Sequence, residues 1–371
     1  MSSIVFFPCF LILCSLYTYF GNKYGNYCKN ILIFILIAIY TFVLGVRVNF
    51  GTDQITYLHM YYYQGADLLR CERIFVLLNQ FLRKFNAPYQ VLFSVIAFLE
   101  IYFLILAFEK ENVNIFYAFI LFFLIYINLY LNLSRQAIAQ SFILLSIVLF
   151  INKKYISWLI ITLIATGFHI SAVLSFFIVP ILNIFKKIKF PNFVYYLLLF
   201  LSMIFYEKLF DVILQTFLIP LNIAFGEKVT IIEKVLEQKI PLGSGMGVRL
   251  RCLAYIFMLP LLLDFKKQSP ANNLLFSLFY FGLVGEFFAS VNMNLVRIFY
   301  YYTQTQLLII PKIISSVKIS NIKKLMVKEI LFLIGLFFLF VLAVPKWISG
   351  ADTTAFYKIS LNFDLYSNHM F

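Results

Sequence analysis

Charge is the scarcest property of this sequence. Charged side chains make up 12% of its residues, against about 25% in soluble domains, while 63% are hydrophobic and the mean hydropathy is +0.93. An ordinary soluble fold is excluded on that ground. Histidine is rarer still, at 3 residues, and no second histidine lies within metal-ligand spacing of the first, so no histidine metal site is expected. The cysteines (Cys9, Cys14, Cys28, Cys71 and Cys252) form no CxxC pair, and Cys9, Cys14 and Cys252 fall in apolar runs. Neither a disulfide framework nor a cysteine metal site is indicated. Acidic residues are few, 16 against 30 Lys and Arg, which leaves a net charge of +14. The cations punctuate hydrophobic runs instead of gathering on one folded face, which argues against nucleic acid. No basic residue precedes the first apolar run, so that run is expected to be a retained span and not a cleaved signal.

What is present is a series of apolar runs, the pattern of an all-α, polytopic membrane protein. A helix rises about 1.5 Å per residue and has to cross roughly 30 Å of hydrocarbon, which calls for runs of about 17 to 25 residues. On that basis spans are expected near 4–20, 31–46, 88–108, 114–131, 136–151, 155–166, 168–185, 190–206, 249–263, 271–290, 298–317 and 329–345. That makes about 12 spans, with 10 to 13 as the range that span length allows. The 155–185 stretch reads as a hairpin, with "NKKY" and "FKKIKF" at its open end and "TGFHIS" at its turn.

Lysine-rich short loops belong on the cytoplasmic side. With Lys110, Lys153, Lys154, Lys186, Lys187 and the other loop lysines placed there, every arginine (Arg47, Arg70, Arg73, Arg83, Arg135, Arg249, Arg251 and Arg297) falls on the outer side. Lysine inside is explained by topology and anionic lipid. Arginine outside breaks that rule. A guanidinium offers a planar fork of donors to phosphate or carboxylate and keeps its charge when partly desolvated, so an anionic ligand on the outer face is the economical cause.

Two outer stretches are long. In 47–87, Cys71, Phe75, Leu78, Leu82 and Phe85 recur at helical spacing, which predicts an amphipathic helix lying in the membrane interface. In 207–248, Val229, Ile232 and Leu236 form a second stripe ahead of a Gly-rich loop, "PLGSGMG". That loop reads as a connector, a hinge or a weak phosphate cradle.

Within this frame the candidate residues stand at membrane edges. Arg47 ends the second span, where snorkelling competes with a binding role. Asp53, in "GTD", is either a helix N-cap or an exposed carboxylate. Arg135, followed by Gln136, opens a span, and an ionisable residue there is costly unless it faces a cavity or partner. His169 occupies the hairpin turn, where it either packs or moves protons. Arg249 and Arg251 open one span and Arg297 another, ahead of the aromatic belt "IFYYYTQTQ". Glu72 is placed to pair with an arginine.

Taken in order, "RVNFGTDQITYLHMY", "CERIFVLLNQFLRKFNAPYQVLF", "SRQAIAQS", "GFHISAVL" and "RIFYYYTQTQLLIIP" resemble the EpsG-type polysaccharide polymerases related to the Wzy O-antigen polymerases. The family's pattern falls on Arg47, Gly51, Asp53, Tyr57, Glu72, Arg135, Gln136, His169, Ser171, Arg297 and Tyr301, although "CERIF" lacks the proline that usually follows the glutamate. The resemblance implies a bacterial inner-membrane, GT-C-like glycosyltransferase that uses neither metal nor other cofactor and has its site facing the periplasm. Its substrates would be oligosaccharide repeat units on undecaprenyl diphosphate, joined for O-antigen or a related surface polysaccharide. A chain-length regulator is a candidate partner beside the lipid bilayer.

In such a reaction a sugar hydroxyl attacks an anomeric carbon and the lipid diphosphate leaves. Arg135, Arg47 and Arg297 are then expected to meet the leaving charge, with Arg249 and Arg251 also on the substrate. His169 is preferred for proton transfer, and Asp53 for orienting a sugar or an arginine. The competing readings are a flippase or exporter for the lipid-linked sugar, disfavoured because no internal repeat is visible, and an O-antigen ligase.

Overall fold

The chain is described here from a computed structural model, which covers residues 3–24, 26–48, 53–63, 65–188, 190–202, 204, 246–316, 327–348 and 358–359. Gly51 and all but the last three residues of the expected outer stretch 207–248 lie outside them; of its Gly-rich loop only Met246 and Gly247 are described. The described residues are helical almost throughout. They form α1 (Ser3–Tyr24), α2 (Asn26–Gly45), α3 (Gln54–Tyr63), α4 (Ala66–Leu69), α5 (Arg73–Lys84), α6 (Tyr89–Lys110), α7 (Ile115–Ile125), α8 (Ile127–Asn132), α9 (Ser134–Ile151), α10 (Tyr155–Phe168) and α11 (Ser175–Phe185). After α12 (Asn192–Ser202) come α13 (Met246–Gln268), α14 (Pro270–Phe288), α15 (Met293–Thr303), α16 (Gln306–Ser316) and α17 (Val327–Ile348). Residues Arg47–Val48 pair antiparallel with Lys358–Ile359 in a two-residue bridge.

Among the described residues, Tyr89–Lys110, Ser134–Ile151 and Pro270–Phe288 are long and apolar enough to cross a membrane, and shorter apolar helices accompany them. Large apolar side chains stand exposed on α10 to α12, among them Ile156, Leu163, Phe177, Ile184 and Phe193. In water such surface would drive association; against acyl chains it is matched.

The chain divides into two compact units. The first comprises Met1–Phe177, Ile310–Ser315 and Ala343–Phe371, and the second Ile178–Ile309 and Ser316–Leu342. The first is organised around α9, which packs on α6 and α10 while α2 packs on α6 and α1 on α2 and α7. Burial covers 89% of α9 against 56% of the apolar stretch of α6, so α9 is the interior helix. Its small residues Ala137, Ala139 and Ser141, all fully buried, let neighbours approach closely.

Ion pairs of lysine and those of arginine lie at different ends of the packed helices of this unit. At one end Glu109 accepts from Lys29 Nζ at 3.4 Å and from the Tyr17 hydroxyl at 3.4 Å, and Glu111 accepts from Lys312 at 2.5 Å. At the other end lie Arg47 and Arg135. Turns between helices are short because Asn86, Asn112 and Lys153 take left-handed φ of 52°, 52° and 59°. Each caps the preceding helix with a 6→1 bond: Ala87 N to Leu82 O at 3.1 Å, Val113 N to Phe108 O at 2.8 Å and Lys154 N to Leu149 O at 2.9 Å.

Three expected spans are not single helices. The 114–131 run breaks at Tyr126 into α7 and α8, although backbone hydrogen bonds continue across it. The 168–185 run begins as a tight 3-10 turn over Ile170–Leu174 before α11, because extended backbone at His169 stops α10. The 298–317 run parts at Gln304 and Thr305. There Thr303, Gln304, Thr305 and Gln306 are all buried and the Thr305 hydroxyl donates to Tyr302 O at 2.7 Å, the local side-chain bonding that competes with a helix.

In the second unit α14 packs between α13 and α15. Ser269 caps α14 by accepting from Asn272 N at 3.0 Å, with Pro270 in the first turn. Gly282 brings α14 against α15, since a Cβ there would fall 2.5 Å from Thr303 N and 2.8 Å from Tyr302 Cβ. Backbone cannot yield as a side chain can. Gly282→Val is therefore expected to cost about 1–3 kcal/mol, read as an earlier thermal unfolding transition of the detergent-solubilised protein.

Candidate functional site

The first unit gathers Arg135, Glu72, Tyr57, His169 and Asp53 where α9 begins. Arg135 lies in the first turn of α9, one residue after its start, where it opens the helix as expected. A cation at a helix N-terminus opposes the helix dipole. Glu72 supplies the compensation: its Oε2 accepts from the Arg135 guanidinium at 2.5 Å, with the two side chains 15% and 26% exposed. Its Oε1 accepts from the backbone amide of Ile170 at 3.0 Å. One carboxylate thus ties α5, α9 and the turn after α10.

Glu72 holds extended backbone at the N-cap of α5 (φ −65°, ψ 148°) without capping that helix through its side chain, so the carboxylate is directed elsewhere. On α5, Phe75, Asn79 and Leu82 face the core. Phe85, expected on the same stripe, is instead 67% exposed, in line with Leu77 and Phe81. The helix therefore carries an apolar face outward as well as inward. Gly167, near the end of α10, allows the turn to close on α5, since a Cβ there would meet Ile74 Cδ1 at 2.3 Å.

His169 follows α10 in extended backbone (φ −152°, ψ 118°). It is half-buried, and its Nδ1 lies 2.7 Å from the Ser171 hydroxyl, a contact that orients the ring. Tyr57 is 6% exposed and stands edge-on to Phe75 at 5.7 Å. The Arg135 guanidinium donates to its hydroxyl. Burial pushes that phenol above its ordinary range while Arg135 opposes the shift, so Tyr57 keeps its proton near neutrality. Asp53, half-buried just ahead of α3, closes the first turn through its backbone oxygen to Tyr57 N at 3.0 Å and lies within electrostatic reach of the Tyr57 hydroxyl. Tyr61, one turn after Tyr57, ties α3 to the start of α6 by donating to Ala87 O at 2.6 Å.

Arg47 takes a different place. It is 2% exposed, with its guanidinium 4.8 Å from the Phe93 ring centroid and 3.5 Å from the Ser134 hydroxyl, and its carbonyl accepts from Gln54 Nε2 at 2.9 Å. It is a buried charge beneath the start of α9. Gln136 is likewise buried, at 2%.

The remaining candidates belong to the second unit. Arg251 of α13 is bonded to Glu286 of α14 and lies 5.2 Å from the Phe287 ring. Glu286 also accepts from the Thr303 hydroxyl, and Tyr300 is within electrostatic reach of Arg251, Arg297 and Glu286. Tyr255 donates to Gln306 Oε1 at 2.5 Å. Arg249, two residues before Arg251 and so on the opposite side of the helix, is exposed. Tyr301 is fully buried; its neighbour Tyr300 is the tyrosine near the arginines. The sequence reading passed over Glu286, Tyr300 and Glu100. Both acids could have been found as lone carboxylates inside apolar runs, "IAFLEIYF" and "LVGEFFA".

A chain helical almost throughout its described residues, with helices long and apolar enough to cross a bilayer, defines a membrane protein. Comparison with known families assigns it more closely: a match to the EpsG family spans residues 30–358, and the chain belongs to that family. Searches of curated proteins and of solved structures return no match.

Glu72→Ala removes both the guanidinium partner and the acceptor of the Ile170 amide. Hydrogen bonds to a charged group are each worth about 1.5–3 kcal/mol, reduced here by partial exposure. A loss of about 1–3 kcal/mol is expected, with Glu72→Gln intermediate because it keeps an acceptor for the amide. Thermal unfolding of the two variants in one detergent checks the ranking.

Proposed function

We propose that this protein is a polysaccharide polymerase of the bacterial inner membrane, joining oligosaccharide repeat units carried on undecaprenyl diphosphate for O-antigen or a related surface polysaccharide. The site faces the periplasm, in a multi-pass chain of about 12 spans whose lysine ends are cytoplasmic. Family membership supports the polymerase class. The observation that carries the reading is Arg135 in the first turn of α9, partly exposed and held by Glu72.

The helix start adds to that charge. Leu133, at the N-cap of α9, has no side-chain oxygen to offer its first-turn amides, and a helix N-terminus bearing such amides favours phosphate oxygens. Arg135 and the helix dipole then stabilise the diphosphate as its bond to the anomeric carbon breaks. A guanidinium takes the part that a metal ion plays in other transferases. His169, oriented by Ser171, takes the proton of the attacking hydroxyl. Asp53 and Tyr57 orient the sugar, and Tyr57 does so as a neutral hydroxyl. Arg47, buried beneath Ser134, contributes charge through the protein and not by contact. Arg249, Arg251, Arg297 and the neighbouring tyrosines are proposed for substrate held by the second unit.

Arg135→Lys keeps the charge and loses the planar fork. Surface polysaccharide from deletion cells complemented with this variant should run as a short or absent ladder, with protein abundance unchanged and single repeat units still exported. Normal chain lengths would remove Arg135 from the site. Lipid-linked units retained on the cytoplasmic side in the deletion would identify a transporter instead.

A further inference from the structure

The reaction proposed above consumes two lipid-linked chains. One loses its diphosphate as the new bond forms. The other supplies the hydroxyl and keeps its own diphosphate, which lies at least one repeat unit away along the acceptor. Two anions therefore have to be held, and in a low dielectric a single guanidinium cannot balance both. Arg135 of the first unit answers one of them. The second unit carries an arginine–carboxylate pair of its own.

Arg251 lies in the second turn of α13, whose last turn carries Lys266 and Lys267. It thus stands at the end of its helix away from the lysines, as Arg135 does on α9. Its guanidinium is ion-paired with Glu286 near the end of α14, and the two side chains are 25% and 4% exposed. The acid is sealed while the cation is presented. The seal comes from how α15 lies on α14. A Cβ on Gly285 would fall 2.1 Å from Phe299 Cε1, and one on Gly282 2.5 Å from Thr303 N, so one turn of α15 is pressed against α14 beside Glu286. That turn brings the Thr303 hydroxyl to Glu286. It also carries Tyr300, with Arg297 one turn earlier, both half-buried. One turn deeper on α13, Tyr255 donates to Gln306 Oε1 at 2.5 Å and closes the floor.

The pair leaves a donor over. The Phe287 ring centroid lies 5.2 Å from the Arg251 guanidinium and Glu286 takes one terminal nitrogen, but the buried Nε finds no acceptor among the described residues. Arg135 has the same feature: its Nη1 is bonded to Glu72 and its Nε is buried without an acceptor. Buried donors are nearly always bonded, and guanidinium N–H groups pair with phosphate oxygens as a fork.

What the second pair lacks is a proton acceptor. His169 and Asp53 stand near Arg135. Residues 246–316 contain no histidine, and their acids are Asp264 and Glu286 alone. Asp264 pairs with Lys267 and Lys328 at the lysine end, and Glu286 is committed to Arg251 and Thr303. A presented cation without a free base suits an anion that is held and does not react.

We infer that Arg251, held by Glu286, binds the diphosphate that the acceptor chain retains, and that the protein therefore takes two lipid diphosphates, one to each unit. The inference rests on the proposed function, which supplies the need for two. No covalent bond changes at this site. Glu286 is a positioning residue that fixes the plane of Arg251.

The test counts farnesyl diphosphate bound per full-length chain by calorimetric titration in nanodiscs. Wild type is expected to bind two molecules and Arg135→Ala one. Replacing Arg251 alone strands a buried carboxylate, so Arg251→Met is combined with Glu286→Gln, which removes both charges together. This double variant is expected to bind one. Arg251→Lys keeps the ion pair and loses the fork, and should weaken one of the two sites by about tenfold or more. Inorganic diphosphate, which brings no chain to the bilayer, should fill the second site at least about tenfold more weakly. Equal affinity would assign that site to a free anion and overturn the inference. A folded double variant that binds two molecules overturns it as well, since the pair then only ties α13 to α14. So does a wild type that binds one molecule and loses it in Arg135→Ala, and both results leave the proposed function standing. Should the double variant fail to fold, unchanged affinity at both sites in Arg251→Lys overturns the inference. No binding by wild type overturns both readings.

Discussion

The carboxylate of Glu72 is the contact on which the first unit's polar cluster at the start of α9 depends. It joins by polar contacts three segments that otherwise meet through packing: the start of α5, the first turn of α9 through Arg135, and the turn after α10 through the Ile170 amide. The bond is strong because both partners lack better options. Arg135 sits at the wrong end of a helix dipole, and Ile170 offers a backbone amide at a helix break, where the ladder has not begun. Partial exposure keeps the pair from the full cost of a buried ion pair.

That arrangement gives the site its chemical character. Arg135 divides its donors between Glu72 and Tyr57, so its plane is fixed, and in the proposed reaction charge held in place needs no reorganisation when a leaving group becomes an anion. His169 is fixed from the same point, since the residue after it is bonded to Glu72 and its own ring to Ser171. In the second unit the same device recurs with other parts, Arg251 against Glu286 and Thr303 beside Tyr300. Each unit thus pairs an arginine with a carboxylate near a helix start, and the acid comes from a neighbouring segment.

Much of this was legible in the sequence because hydrophobic length and charge sign act locally. Runs such as 88–108 appeared as α6 and 329–345 as α17, within a few residues. Arg135 with Gln136, and His169, stood out as polar residues at the edges of apolar runs, and Ser171 through the family resemblance. The broken helices were not legible. Hydropathy does not distinguish a straight helix from one parted at "TQTQ", where buried threonines bond their own backbone, or from one delayed by extended backbone at His169. Phe85 was misplaced for a related reason: period alone put it on the buried stripe of α5, whereas the helix ends there and leaves the ring outside.

The amino-acid sequence by itself determined the solvent and the helical class, because each follows from the cost of placing a residue type in hydrocarbon or at its edge. The tertiary structure alone decided which acids answer which arginines. Glu72 lies 63 residues from Arg135 and Glu286 35 from Arg251, separations no periodicity spans. It also decided that Arg47 is buried while Arg135 is open, though both stand at span ends. Burial depends on what packs around a side chain, and for Arg47 that includes Phe93 and Ser134.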